Sequence, residues 1–278
     1  LADADIGVDV ILDILARAWR QLLNRPGTAT IFASPMQVTE LAECRFYHSM
    51  EIPGFGPVVG EWDLRRDTAG LLGHIDWRGK RVLEIGPASG FLSFWMEQQG
   101  AEVVAIDLPD QPTDIYLPRD DVDWVRVNSD RRERLQRQKR SFWLAHRAFK
   151  SQVRVYYGDA LQLPQELGRF DVALVADTLV HCRDPMGILA ACARLTDGTM
   201  VVVEAKNFHA DGPIMYFVPN DENRIVDTWW FFSPAVLVNA LGALGFRHSR
   251  VSYSSAWCEP TKVDGKRFTV VASRTVEP

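Results

Sequence analysis

The stretch Arg81-Val82-Leu83-Glu84-Ile85-Gly86-Pro87-Ala88-Ser89-Gly90 constrains this chain more than any other. Arg81 to Ile85 is apolar at 82, 83 and 85 and is bounded by Gly79-Lys80 and Gly86, which reads as a short buried strand. Ser89-Gly90 then opens the amphipathic run Phe91-Leu92-Ser93-Phe94-Trp95-Met96, which reads as a helix. Strand, glycine turn and helix form the first half of a nucleotide-binding βαβ unit. Glycine lets backbone approach a ligand where a Cβ would collide, and the helix start offers free N–H groups.

The turn lacks the Gly-x-Gly-x-x-Gly pattern of dinucleotide sites: Ala88 stands at the second glycine position and Phe91 follows Gly90. Glu84 would repel a pyrophosphate but accepts bonds from an ammonium. A second strand, Gly100 to Asp107, ends in another acid, roughly 20 residues on, where such folds hold a ribose diol. An amino-acid tail plus a ribose without phosphate describes S-adenosylmethionine. These residues resemble the class I S-adenosylmethionine-dependent methyltransferases. Glu84, Gly86, Pro87, Ala88, Ser89 and Gly90 look like their first motif, and Asp107 with Leu108 like the ribose site. Gly158, Asp159 and Ala160 look like the adenine turn, and Ala176 and Asp177 with His181 like the fourth motif. Within the family the chain resembles the wobble-uridine tRNA (carboxy)methyltransferase-like group. The resemblance implies S-adenosyl-L-methionine as methyl donor and S-adenosyl-L-homocysteine as product.

With 278 residues and 47% hydrophobic content, the chain can bury one large α/β core. A net charge of −5 argues against a dominant nucleic-acid surface without excluding a local one. The cysteines, Cys44, Cys182, Cys192 and Cys258, are dispersed and form no Cys-x-x-Cys pair, so no zinc site is expected. Reduced thiols fit a cytoplasmic protein. No apolar run reaches membrane-spanning length. No metal is expected, since Asp177, Glu204 and Asn207 lack paired-acid spacing.

Residues 1–75 read as an N-terminal helical cap or lid, and 76–278 as the donor-binding domain with a helical insertion at 126–152. Ile6 to Leu23 has apolar residues near every fourth position, an amphipathic helix that Asn24-Arg25-Pro26-Gly27 ends. A shorter helix is expected from Val38 to Cys44. Arg45 to Glu61 is rich in aromatic, Gly and Pro residues and reads as irregular, and Trp62 to Gly73 as a helix. Arg126 to Arg154 carries ten basic residues against Asp130 and Glu133, with Leu135, Phe142, Trp143, His146 and Phe149 on one stripe. That pattern gives a long helix with a basic outer face, either a phosphate-binding patch or a solvated surface.

Further strands are read at Val153–Tyr157, Asp171–Ala176, Thr199–Glu204, Phe246–Ser254 and Arg267–Ser273, with helices at Pro185–Leu195 and Ala235–Leu244. Ser233-Pro234 is the natural start of the latter. Val263-Asp264-Gly265 lies near a turn that pairs the last two strands. The fold class is therefore α/β, a doubly wound Rossmann-like seven-stranded sheet with an antiparallel last strand.

A sulfonium methyl is already activated, so the protein must align a nucleophile and, for a hydroxyl or protonated amine, remove its proton. His181 and then His209 are the candidate bases. Tyr47, Trp62, Glu204, Lys206, Tyr216, Trp229 and Trp230 are candidate acceptor-binding residues, the aromatic ones suiting a planar acceptor or a stacked base. The expected partner is a small organic acceptor methylated on oxygen or nitrogen, with tRNA as the alternative. A carboxymethyl donor would want a dedicated cation, and none is identifiable near Glu84 or Trp62. A third reading is a non-catalytic binding protein that keeps the fold.

Overall fold

The computed structural model describes residues 31–110, 116–209, 212–223 and 225–275. The amphipathic helix read at Ile6–Leu23 lies outside the described residues. Residues Phe32–Pro278 form one compact unit.

The core is a parallel sheet of β4 (Arg81–Ile85), β5 (Glu102–Asp107), β6 (Arg154–Tyr157), β7 (Phe170–Ala176) and β8 (Thr196–Ala205). β4 pairs with β5 on one side and β7 on the other, so the chain winds outward in two directions from that junction. β12 (Val263–Ser273) runs antiparallel to β8, and β11 (His248–Cys258) antiparallel to β12. A two-residue strand, β3 (Trp62–Asp63), pairs antiparallel with β11 and makes an eighth strand. The doubly wound sheet read from the sequence is present, with β12 and the short β3 running against its parallel strands. Strands buried on both faces explain the near-continuous apolar runs of β7 and β8.

The helices start where side chains can cap them. Asp184 accepts the Gly187 N–H at 2.8 Å, with Pro185 in the first turn of α4 (Pro185–Leu195). Ser233 caps α5 (Pro234–Ala243) in the same way. α2 (Phe91–Gln98) follows Gly90, and its Phe94 packs 5.1 Å from Phe142 of α3 (Trp124–Phe149). α3 is capped by Asp123 and ends on Lys150 in the left-handed conformation. Its buried stripe includes Leu135, Phe142 and Trp143 as expected, and also Lys139.

Several local expectations are overturned. Trp62 to Gly73 is not a helix: it holds β3, a 3₁₀ turn at Arg65–Asp67 and only the short α1 (Thr68–Leu71). β3 pairing with β11 takes the first residues away, and Asp67 caps the helix late by accepting the Gly70 N–H. The 45–61 stretch is not irregular throughout. β1 (Met50–Ile52) and β2 (Gly56–Val58) form a hairpin, because Gly54 and Gly56 supply the positive φ its turn needs. The helix read at Val38–Cys44 shrinks to a 3₁₀ turn, Leu41–Glu43. The turn expected near Val263 to Gly265 is present, by contrast: the chain reverses just before β12 and the last two strands pair antiparallel. The aromatic segment after β8 forms β9 (Met215–Phe217) paired antiparallel with β10 (Trp230–Phe232).

Candidate active site

Open α/β sheets bind ligands outside the carboxyl ends of their strands, where the winding reverses. Here that place lies between β4 and β7. Thr178 stitches the two ends together, its hydroxyl donating to Ala176 O at 2.9 Å and lying 3.2 Å from Ile85 O. The loop after β4 is tightly coiled: Gly86, Ala88 and Gly90 all have positive φ. A Cβ on Gly86 would lie 2.6 Å from the Thr178 hydroxyl, and one on Gly90 2.5 Å from the Phe94 ring. Ala88 adopts the left-handed conformation that the glycine it replaces would favour, at φ 52. Ser89 is fully buried, and its hydroxyl accepts the His48 backbone N–H at 2.9 Å.

The strand-tip acids differ in their surroundings. Glu84 is only 2% exposed and takes the Ser93 hydroxyl of α2 as partner. Burial pushes its carboxyl up to about 8, Ser93 pulling it down and Asp107 adding to the rise. It is therefore mostly neutral at pH 7, and one oxygen is committed inside the protein. Asp107 is half-buried and accepts the Leu108 N–H at 2.8 Å. Burial raises its carboxyl to about 6, against the pull of the Leu108 amide and Lys139. The Gly158 N–H reaches the Asp107 carbonyl at 2.9 Å, which ties the turn after β6 to the tip of β5. Asp159 is exposed and accepts the Leu161 N–H at 2.8 Å, so one of its oxygens shapes the turn; Ala160 beside it is half-buried.

Beyond β7 lies a cluster built by four segments. Asp177, at φ 47, accepts Arg267 Nε at 2.6 Å. The Arg267 side chain is 3% exposed and its guanidinium lies 4.0 Å from the centre of the Trp62 ring. Tyr47 and His48 enter from the N-terminal side: Trp62 N–H donates to Tyr47 O at 2.9 Å. Burial, then Asp177 and Glu61, raise the Tyr47 phenol above its usual range. His48 is buried, its Nδ1 lacks a partner, and burial aided by Arg267 holds its imidazole down to about 3.

Arg267 overturns the expectation that no cation stands near Trp62. Only its neighbours across three segments make it a site residue, although a cation opening the apolar run Phe268 to Ala272 was a usable signal. His48 was hidden among the aromatic residues of its segment.

Two expected acceptor contacts are buried instead. Glu204 has no exposure; one oxygen accepts the Leu179 N–H at 3.0 Å and the other has no partner. Burial, then Asp177, pushes its carboxyl well above the carboxylate range. Trp229 is 6% exposed, its N–H donating to Val180 O at 2.7 Å, so it fastens the strap carrying β10 to the turn after β7. Tyr216 is 53% exposed, Trp230 is half-buried, and Lys206 lies 4.7 Å over the Tyr253 ring. His209 is exposed on the loop after β8. His181 is exposed on the 3₁₀ turn Leu179–His181, with Nδ1 2.6 Å from the Asp227 carbonyl. A carbonyl only accepts, so Nδ1 is the donor in this contact and Nε2 is the ring nitrogen that takes no part in it.

Among the described residues no group of three or more His, Cys, Asp or Glu is placed to hold a metal ion, and no helix is long and apolar enough to cross a membrane.

A doubly wound sheet with a glycine-type coil after its first core strand and acids on the next tips defines the class I methyltransferase architecture. The chain belongs to the family described as "Methyltransferase domain", whose profile matches residues 63–249. It is similar to the ubiquinone biosynthesis O-methyltransferase of Pseudomonas aeruginosa (strain UCBPP-PA14), 31% identical over 120 residues, 42% of this chain and 40% of the relative. The enzyme of that description from Stutzerimonas stutzeri (strain A1501) is 28% identical over 122 residues, 44% of this chain and 42% of the relative. The matched part is thus less than half of each curated relative. Among solved structures, the Burkholderia thailandensis 1,6-didemethyltoxoflavin-N1-methyltransferase is 19% identical, with a TM-score of 0.48, over 76% of this chain and 78% of that one.

Proposed function

We propose that this chain transfers the methyl group of S-adenosylmethionine to an oxygen or nitrogen of a small organic acceptor, with His181 as the base. The observation that carries this reading is the 2.6 Å contact from His181 Nδ1 to the Asp227 carbonyl, which leaves Nε2 free to take a proton just beyond the tip of β7.

The residues fit the donor. The coil Gly86, Pro87, Ala88, Ser89, Gly90 would take its amino-acid end, where the partnerless His48 Nδ1 is a polar atom awaiting a partner. Asp107 and Leu108 would hold the ribose; Gly158, Asp159, Ala160, Ala176 and Asp177 would border the adenine and sulfonium side. When bound, the donor supplies an already activated methyl. The protein's part is to orient the acceptor, exclude water and remove the acceptor proton at Nε2 of His181, with His209 as the second candidate. Tyr47, Trp62, Lys206, Tyr216 and Trp230 offer the aromatic and cationic wall, while Glu204 and Trp229 support it from within.

A second reading, modification of a tRNA base of the wobble-uridine type, rests on the outer face of α3. An open groove of about 630 Å³ there is lined by Arg132, Arg137 and Arg140 with Ala42 and Glu43. Much of that charge is engaged locally: Arg140 with Glu43 at 3.2 Å, and Arg137 with the Ala42 and Cys44 carbonyls. The small-acceptor reading is preferred for that reason. Calorimetry with S-adenosylhomocysteine, followed by transfer of labelled methyl to a panel of phenols and amines or to bulk tRNA, separates the readings. No heat at millimolar ligand would favour the binding-protein alternative; label on tRNA alone, with salt-sensitive binding, would favour the second reading.

A further inference from the structure

By position Lys139 belongs to the basic run of α3, yet it lies on the buried stripe of that helix, with 1% of its side chain exposed. Burying an ammonium is costly unless anions and hydrogen bonds surround it. Its Nζ donates to Asp110 Oδ1 at 2.7 Å and lies 4.0 Å above the Tyr157 ring. That ring is fixed in turn, because Trp143 Nε1 donates to the Tyr157 hydroxyl at 2.9 Å. Asp110 is itself 68% exposed and shares the same oxygen with Gln136 Nε2 at 2.8 Å. One exposed carboxylate and one π face leave donor capacity on Nζ unused. Asp107, at the tip of β5, pairs in register with Tyr157, the residue whose ring lies against Nζ, so it is the next acid beside the ammonium.

We propose that Lys139 is a positioning residue of the donor site: its caged ammonium keeps Asp107 a carboxylate, ready to accept the hydroxyls of the donor's ribose. This rests on the donor placement proposed above. The groups facing Asp107 make the cation necessary. Glu84 on β4 is mostly neutral at pH 7 and supplies no positive charge, Tyr157 on β6 is a neutral phenol, and Asp110 on the same loop is an acid. Lys139 on α3 is the cation that acts on Asp107. Without it, that half-buried carboxyl would hold its proton further into the neutral range and lose one acceptor for the diol.

The experiment is calorimetric titration of the full chain with S-adenosylhomocysteine between pH 5 and 8.5, comparing wild type with Lys139→Met, which keeps the apolar stem. Wild-type affinity is expected to fall below about pH 6. The variant's fall is expected about one pH unit higher, making binding about fivefold weaker at pH 6 and near wild type at pH 8.5. An equal loss at every pH would mark a merely structural residue, and an unchanged profile would remove the role; either overturns the proposal. If Lys139→Met does not fold, Asp110→Asn on the exposed side serves instead. Freed of that partner, the ammonium turns to Asp107, and the fall moves to lower pH; an unmoved fall overturns the proposal. Wild type that binds no S-adenosylhomocysteine would defeat the donor reading itself, a result distinct from both.

Discussion

The guanidinium of Arg267 lies 4.0 Å over the Trp62 ring, so an arginine of the antiparallel strand β12 and a tryptophan of the sheet's edge strand β3 form one unit. Arg267 also donates to Asp177 at 2.6 Å, close enough to Glu204 to temper its raised carboxyl. Replacing Arg267 by Met leaves Asp177 without its cation. Removing one member of a buried pair costs about 3–5 kcal/mol, and the 26% exposure of Asp177 argues for the low end, about 3 kcal/mol. Urea unfolding measures this. A loss below about 1 kcal/mol would mean the pair behaves as a surface one.

Glu84 predicts a pH dependence of stability. Its carboxyl sits at about 8 when folded, against 4.5 as its ordinary value. Folding therefore favours its protonated form. The stabilisation is complete below about pH 4.5 and is lost as pH rises towards 8. Glu84→Gln keeps an acceptor for Ser93 but cannot ionise. Between pH 5 and 8 the variant should lose less stability than wild type in matched urea titrations. Identical slopes for the two proteins would refute the raised carboxyl.

For His181, replacement by Ala should lower turnover roughly 10²- to 10⁴-fold while S-adenosylhomocysteine affinity stays within about twofold. Single-turnover kinetics with labelled donor separates the two quantities. Turnover that survives the change would transfer attention to His209.

At Gly90 two costs coincide. The residue sits at φ 87, and an added Cβ would stand 2.5 Å from the Phe94 ring and 2.7 Å from that of Phe142. Gly90→Ala should destabilise by about 2–4 kcal/mol, combining left-handed strain with overpacking. Ala88→Gly relieves strain at φ 52 but frees the unfolded chain, so it should stay within about 1 kcal/mol of wild type. Thermal unfolding of the pair checks both; a mild Gly90→Ala would mean the two rings can part.

What the sequence made legible followed from regular patterns. The buried strands β4, β5, β7 and β8 announce themselves as apolar runs ending in glycine or acid, and α4 was readable over its whole length from Pro185 to Leu195. The segment from Tyr47 to Asp63 was not readable, because its structure is bought with tertiary partners: β3 exists through β11, and the His48 amide is satisfied by Ser89. Arg267 and Lys139 were missed for a related reason. A cation in an apolar strand or on an apolar helical stripe shows its role only when Asp177 or Asp110 arrives from elsewhere in the chain. Glu204 and Trp229 failed in the opposite sense: acids and aromatics at strand ends look like ligand contacts until their burial is known.

The 26 residues of α3 make a rod about 39 Å long. At one end Trp124 leans on Tyr116, with ring centres 5.9 Å apart; at the other, Ser151 closes the last turn through the His146 carbonyl. Lys139 stands a little past the middle. The rod therefore hangs the Trp124–Tyr116 contact and the buried Lys139–Asp110 pair on a single span of backbone.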